Sequence, residues 1–254
     1  MLPVFCYWNG EDAAYEQAFA QNWASAFPDF RIYGQQDVAQ TLRSIAPECV
    51  ELLTDLRIAS AQSDICRYAM LYAHGGLYTD CHFGFDDAEA VRAFVQQAHE
   101  HEVVAVENGL YRDVRSADHR LLISGFLFAR PGHPLILAAL RQLCANLAAY
   151  RAQEQAHGWQ AYDIWRLCGP WVLNVAAFAN VKQDAPDPRW APWTDRPMPI
   201  VRPAYEQGLR IVAEETLPVE RNRHKSYVAT SPHWSHRQTR ECLFHSSPQP
   251  LPAD

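Results

Sequence analysis

A carboxylate and an imidazole stand two residues apart at Asp80 and His82, directly after the apolar and aromatic residues 77–79. In an extended strand, alternate side chains point to the same face, so the two groups would lie side by side. A carboxylate and an imidazole can hold a divalent ion together; this donor set suits Mn²⁺, whereas Mg²⁺ prefers oxygen ligands. The triplet therefore predicts a metal site. The alternative is an ordinary solvated strand end, because such triplets also occur by chance.

A second pair of charged residues lies upstream, where Asp64 and Arg67 are three positions apart in a segment with helical periodicity. Residues at this spacing are neighbours on a helix surface. Two interpretations stay open at this point. The pair is either a local ion pair that contributes little to stability, or a fork in which the carboxylate fixes the guanidinium for binding the hydroxyl groups of a polar ligand.

The elements around these residues alternate as in an α/β sheet. An opening strand within residues 1–10 is followed by a helix that ends at Pro28, and the strand that carries Asp80 follows a helix stopped by Gly75 and Gly76. Such a β-α-β-α opening is typical of a nucleotide-binding sheet. The further predicted strands are residues 29–34, 77–83, 102–108 and 121–130. The further predicted helices are residues 63–72, 134–150 and 169–179, with one or two short helices around Pro47 within residues 37–59.

The composition limits the classes of function. The 254 residues carry a formal net charge of −7, which gives no support to nucleic-acid binding as the main role. The N-terminal apolar stretch is too short for a signal peptide or a membrane span. The seven cysteines are widely spaced and odd in number, which favours reduced thiols over a disulfide framework. These features predict a cytoplasmic protein, with peripheral contact to the inner face of the membrane left open.

The stretch SDICRYAMLYAHGGLYTDCHF at 63–83 as a whole resembles the DXD sugar-transferase region of glycosyltransferase family 32, whose core is shared with clostridial glucosylating toxins. The family pattern has Ser-Asp, Arg-Tyr, Leu-Tyr, Gly-Gly, an aliphatic residue with Tyr, and Asp-x-Asp. Eleven positions match it in order and spacing: Ser63, Asp64, Arg67, Tyr68, Leu71, Tyr72, Gly75, Gly76, Leu77, Tyr78 and Asp80.

Weaker similarity extends over roughly residues 4–178, in YWNG at 7–10, LISGFLFARPGHPLI at 122–136 and CGPWVLN at 168–174. The resemblance implies a Rossmann-like nucleotide-sugar-binding fold of the GT-A type, with a mixed central sheet and a C-terminal part rich in helices and loops. We expect one domain over 1–254, with a nucleotide-sugar-binding half at 1–110, an acceptor-side half at 111–245 and a tail at 246–254.

The resemblance also implies roles for individual residues. Asp64, Arg67 and Asp80 would be the catalytic residues, with Asp64 and Arg67 on the hydroxyl groups of the donor sugar. Trp8 would pack on the base, Tyr78 would lie near the diphosphate, and Trp234 could cover the donor. Asp80 and His82 would hold Mn²⁺ or Mg²⁺, with His233 as a third ligand. Glu107, which follows a predicted strand, is a further candidate carboxylate.

One position departs from the family pattern, because His82 stands where the second Asp is usual. The resemblance implies a metal-dependent retaining glycosyltransferase that uses a UDP-sugar, or else GDP-mannose, to extend a glycan or glycolipid acceptor of a surface polysaccharide such as a capsule or lipopolysaccharide. The alternatives are a toxin-like enzyme that glycosylates protein, and a non-catalytic module that binds nucleotide sugar or glycan. On the enzyme interpretation, Arg67→Ala should abolish transfer and leave thermal stability nearly unchanged.

Overall fold

The computed structural model describes residues 3–10, 12–107, 122–178, 208–224 and 233–247. The strands are β1 (Val4–Tyr7), β2 (Arg31–Tyr33), β3 (Gly76–Thr79), β4 (Val103–Glu107), β5 (Leu122–Ala129) and β6 (Leu209–Ala213). The helices are α1 (Ala13–Ala26), α2 (Gln35–Ile45), α3 (Glu48–Asp55), α4 (Ala59–His74), α5 (Ala88–Ala98), α6 (Pro134–His157), α7 (Ile164–Leu167), α8 (Pro170–Ala177) and α9 (Trp234–Arg237).

The strands form one mixed sheet in the order β2-β1-β3-β5-β4-β6. β1 is parallel to both β2 and β3, as expected for strands that are joined through helices. β5 is antiparallel to β3 and to β4, and β4 is parallel to the edge strand β6. The predicted α/β fold with a mixed central sheet is therefore confirmed.

Helices cover both faces of the sheet. On one face α2, α3, α4, α6, α7 and α8 pack against strand residues such as Phe5, Tyr78 and Leu127. On the other face α1 and α5 pack against residues such as Leu77 and Phe126. β5 is buried along its whole length, because its alternating side chains face these two cores in turn.

The connection from α4 to β3 depends on two glycines. Gly75 caps α4 at a φ of 66° and Gly76 follows at 104°, a backbone region that side chains disfavour. A Cβ on Gly76 would also lie 2.0 Å from the carbonyl oxygen of Pro3. This tight reversal delivers the chain from the buried helix α4 directly into the centre of the sheet. The sequence correctly predicted the helix, its glycine stop and the strand after it.

The predicted strand at 77–83 is too long. β3 ends at Thr79, and residues 80–83 form a turn in which the N–H of Phe83 donates to the carbonyl oxygen of Asp80 at 3.1 Å. The Asp80 N–H still donates to the carbonyl oxygen of Gly125 on β5 at 2.7 Å, after which the chain leaves the sheet. Strand alternation therefore does not relate Asp80 to His82, and that step of the prediction is wrong.

The expectation of reduced cysteines is also wrong for one pair. A disulfide joins Cys49 on α3 to Cys144 on α6, with the Cα atoms 5.9 Å apart. The two residues are 95 positions apart in the chain, so sequence spacing gave no sign of their contact. The remaining cysteines are free thiols: Cys6, Cys66, Cys81, Cys168 and Cys242.

The length and the apolar character of a helix decide whether it can span a membrane. Within the described residues, no helix combines the length and the apolar character needed to cross a membrane.

Candidate functional site

A cavity of about 910 Å³ opens beyond the carboxyl ends of the parallel strands β1 and β3. Its size is that of a typical small-molecule site, and this edge of the sheet is where α/β proteins bind ligands. All eight residues that the sequence singled out as the site line this one cavity: Trp8, Asp64, Arg67, Tyr78, Asp80, His82, His233 and Trp234.

Arg67 is the centre of the polar network in the cavity. Its side chain is only 3% exposed, and its Nη1 donates to a carboxylate oxygen of Asp64 and, at 2.6 Å, to the hydroxyl of Ser124. Its Nη2 donates to Oδ1 of Asp80 at 2.9 Å. The guanidinium also lies over the ring of Tyr78, 4.7 Å from its centroid. The pair is therefore not a surface ion pair, because one cation holds two carboxylates in a largely dry environment.

The two carboxylate oxygens of Asp80 differ in their hydrogen bonds. Oδ1 accepts from Arg67 and from the Tyr78 hydroxyl, the latter at 2.7 Å. Oδ2 accepts no hydrogen bond from the described part of the chain, and the side chain keeps 23% of its exposure. Burial alone would raise the pKa of Asp80, but Arg67, His82 and the Tyr78 bond outweigh it and hold the pKa below its usual value. Asp80 is therefore an anion with one oxygen available to a ligand.

Asp64 is in the opposite electrostatic situation. Its side chain is 7% exposed, and this burial raises the pKa of Asp64 to about 7, against the opposing effect of Arg67. Asp80 raises the pKa further, since two nearby carboxylates share one guanidinium. The protonation of Asp64 is thus sensitive to pH near neutrality, whereas Asp80 stays ionised. Neighbouring carboxylates with pKa values shifted in opposite directions are typical of functional sites.

Two residues of the site were missed by the sequence reasoning, and both lie on β5. Ser124 is 1% exposed and accepts the hydrogen bond from Arg67 described above. Gly125 lies against Asp80 so closely that a Cβ there would be 2.4 Å from Oδ2. The only sequence signal for them was the weak similarity of residues 122–136 to the family. Their part in the site follows from the pairing of β5 with β3.

The residues present fit a divalent ion in part. Asp80 offers a carboxylate oxygen that has no donor among the described residues, and His82 lines the same cavity close enough to lower the pKa of Asp80. One carboxylate and one imidazole match the donor set of Mn²⁺. The described residues contain no preformed group of three His, Cys, Asp or Glu side chains around one point. His233 as a third ligand accordingly stays a prediction.

Two tryptophans that line the cavity come from different elements of the fold. Trp8 follows β1 and packs on Tyr15 and Phe19 of α1, with ring centroids 4.8 and 5.8 Å away. Trp234 begins α9, and His233 caps that helix by accepting from the N–H of Ser235 at 3.3 Å. Both tryptophans are half-buried and line the cavity, and their rings are of a kind that packs on planar or apolar ligand groups.

Two predictions fall outside this cavity or outside the described residues. Glu107 ends β4 and pairs in the sheet with Leu122 and Ala213; it is not among the residues that line the cavity. The Pro- and Trp-rich sequence of residues 184–203 also predicts an ordered loop, because large apolar side chains are costly to leave in water, but these residues lie outside the described part of the chain.

Comparison with known proteins agrees with this geometry. The family model described as "Glycosyltransferase sugar-binding region containing DXD motif" matches residues 13–111, the part of the chain that contains Asp64, Arg67 and Asp80. A solved structure named "PaToxG Glycosyltransferase" has a TM-score of 0.41 and 12% identity, covering 69% of this chain and 67% of that chain. A likeness at this level assigns neither fold nor function. Among curated proteins, none has a matching sequence.

The prediction of a DXD-type glycosyltransferase is confirmed by the family match, whereas membership of family 32 in particular is not confirmed and stays a prediction. The match covers α1 to β4 and thus every element that carries Asp64, Arg67, Tyr78, Asp80 and His82. Residues 13–111 of this chain, which are less than half of its length, are similar to that sugar-binding region.

Proposed function

We propose that the chain is a metal-dependent, retaining hexosyltransferase. It takes a hexose from a nucleotide sugar, with a UDP-sugar favoured over GDP-mannose, and transfers it to a glycan or glycolipid of a surface polysaccharide such as a capsule or lipopolysaccharide. The observation that carries the proposal is the single network in which Arg67 holds both Asp64 and Asp80 at the wall of a ligand-sized cavity.

Asp80 and His82 are the residues proposed to hold the divalent ion. When bound, Mn²⁺ or Mg²⁺ supplies Lewis-acid stabilisation of the charge that develops on the diphosphate leaving group. The protein keeps Asp80 ionised for this role, since Arg67 and Tyr78 both bond to Oδ1 and leave Oδ2 to the ligand.

Asp64 and Arg67 are proposed to bind the hydroxyl groups of the donor sugar. An ionised Asp64 accepts hydrogen bonds from hydroxyls, and its own position is fixed by the guanidinium of Arg67. Ser124 on β5 accepts a hydrogen bond from that guanidinium, so Asp64 and Arg67 are held in position before the sugar binds. Such a prepositioned fork lowers the entropy that is lost when the sugar is oriented for transfer.

Trp8 is proposed to pack on the base and Trp234 to cover the donor. The two side chains lie at opposite ends of the described sequence, yet they line the same cavity. Tyr78 is proposed to lie beside the diphosphate, because its hydroxyl is already bonded to Asp80. Retention of the anomeric configuration is taken from the family resemblance, in which the leaving phosphate accepts the proton of the acceptor hydroxyl and no separate general base is assigned.

We also propose that 1–110 and 111–245 act as the two halves of one domain. This is supported by the position of β5, which comes from the second half and inserts between β3 and β4 of the first. A cytoplasmic location, at the inner face of the membrane, stays a prediction. The Cys49–Cys144 disulfide removes the cysteine argument that was one of its supports.

The experiment is a hydrolysis assay with each common UDP- and GDP-sugar in the presence of Mn²⁺, in which released nucleoside diphosphate is measured. Wild type should release it from one donor, and Asp80→Asn should abolish release. Asp29→Asn, which removes an equal charge at an exposed position, is the matched control and should behave as wild type. Donor binding without any turnover, with or without acceptors, would favour a binding module. Turnover that survives Asp80→Asn would contradict the proposed role of Asp80.

A further inference from the structure

Among the described residues, four arginines line the cavity, and three of them have a carboxylate partner. Arg67 pairs with Asp64 and Asp80, Arg221 pairs with Glu214 at 3.1 Å, and Arg237 pairs with Glu241 at 2.8 Å. The fourth, Arg57, has no carboxylate partner within the described ranges of the chain. Of the arginines that the described residues bring to the cavity, Arg57 is therefore the one whose charge is not already paired with a carboxylate.

The backbone of Arg57 is firmly held while its side-chain charge is not balanced. Arg57 lies between α3 and α4, where its N–H donates to the carbonyl oxygen of Leu243 at 2.9 Å. Its own carbonyl oxygen accepts from Arg237 at 3.5 Å. The residue is half-buried, and its Nε has no hydrogen-bond partner among the described residues. A cation in such a place loses part of its hydration without gaining a counter-charge, which is unfavourable until an anion binds.

The immediate surroundings of Arg57 also favour negative charge. Ala59 and Ser60, in the first turn of α4, line the same cavity. That turn contains no acidic residue, and its N-cap residue Ile58 provides no side-chain oxygen for the first amides. The N-terminus of a helix of 16 residues carries partial positive charge that adds to the charge of the guanidinium.

We propose that Arg57 is a phosphate-binding residue of the cavity. The proposal rests on the proposed function, in which the cavity accepts a nucleoside diphosphate. A guanidinium binds phosphate through two parallel hydrogen bonds, which an otherwise unpaired Arg57 can provide. The phosphate comes either from the diphosphate of the donor or from a phosphate group of the acceptor. Both sources have the same chemistry, and binding measurements distinguish them.

The test is calorimetric titration of wild type and variants with UDP, with GDP, with uridine and guanosine, and with inorganic phosphate added to protein saturated with the nucleotide. The variants are Arg57→Gln and Arg57→Lys. Arg240→Gln is the matched control, because it removes an equal charge at an exposed residue that does not line the cavity. Thermal unfolding is recorded for each variant to show that it is folded.

If the phosphate belongs to the donor, Arg57→Gln weakens binding of the nucleoside diphosphate at least tenfold and leaves binding of the nucleoside unchanged. If it belongs to the acceptor, nucleotide binding is unchanged, and wild type saturated with nucleotide binds inorganic phosphate while Arg57→Gln does not. In both cases Arg57→Lys recovers part of the lost affinity, which also keeps the test valid if Arg57→Gln is unstable.

The proposal is overturned if Arg57→Gln changes neither the affinity for the nucleoside diphosphate nor the affinity for inorganic phosphate by more than Arg240→Gln does. This outcome is separate from failure of the proposed function, which is measured by turnover and by its dependence on Asp80. A protein that binds phosphate through Arg57 but shows no Asp80-dependent turnover would retain the phosphate site and lose the transferase mechanism.

Discussion

Replacing Gly125 by alanine tests whether the position of the Asp80 carboxylate matters. A Cβ at 125 would lie 2.4 Å from Oδ2 of Asp80, 3.1 Å from its Cγ and 3.3 Å from Cε2 of Phe83. Ordinary contact begins at 3.4 Å, so Oδ2 must move by about 1 Å. Phe83 is 1% exposed and packed in the core, so we expect the Asp80 carboxylate to move rather than the Phe83 ring. Its movement carries Oδ1 away from Arg67 and Tyr78.

The expected effect on activity is larger than the effect on folding. A displacement of about 1 Å at a reacting group lowers turnover by about 10²-fold. The added methyl group in a packed region lowers the free energy of unfolding by about 1–3 kcal/mol. The assay is Mn²⁺-dependent release of nucleoside diphosphate, with unfolding in urea measured on the same samples. Gly34→Ala is the control, since its nearest contact would be Asp37 at 3.8 Å, and we expect it to leave activity unchanged.

Wild-type turnover by folded Gly125→Ala would refute the reasoning, because it would mean that the site tolerates a displaced Asp80. A loss of activity no larger than the fraction of unfolded protein would refute it equally, since the effect would then be one of stability alone.

Three further predictions follow from the buried charges. Arg67→Ala should abolish turnover, and it should lower the free energy of unfolding by about 3–5 kcal/mol because it leaves the buried Asp64 and Asp80 without their cation. This loss differs from the sequence-based expectation that stability would be nearly unchanged; unchanged stability in urea would mean that both carboxylates are solvated. Because the pKa of Asp64 is raised to about 7, the native state binds more protons than the unfolded state between about pH 4 and 7. Stability should therefore fall as pH rises through this window, and Asp64→Asn should remove that slope; an identical pH profile would contradict the shift. Glu154 is fully buried and accepts hydrogen bonds from the backbone amides of Leu243 and Phe244. Glu154→Gln should therefore lower the free energy of unfolding by about 1–3 kcal/mol and increase hydrogen exchange at residues 243–245. Exchange at the wild-type rate in this segment would show that the contact is dispensable.

The sequence predicted well what depends on local pattern. The helix α4, its glycine stop and strand β3 follow from periodicity and backbone chemistry, and they position Asp64, Arg67 and Tyr78. The resemblance to the family identified eight candidate site residues, and all of them line one cavity. The helix, its stop and the strand could be predicted because neighbouring residues determine them, whereas the grouping of the distant residues came from the family resemblance.

What the sequence could not predict depends on contacts between distant residues. The turn at 80–83 is favoured by tertiary bonds, among them Asp80 to Gly125 and the pairing of Gly84 with Glu220. Ser124 reaches Arg67 across 57 positions, and Cys49 meets Cys144 across 95. The burial that raises the pKa of Asp64 likewise comes from packing that no local spacing reveals.

The most direct test of the central claim is anomalous diffraction from crystals grown with Mn²⁺ and the bound nucleoside diphosphate. We predict one manganese peak that contacts Oδ2 of Asp80, a ring nitrogen of His82 and the diphosphate, and that disappears in Asp80→Asn. A nucleotide bound in the cavity with no manganese between these two side chains would contradict the account.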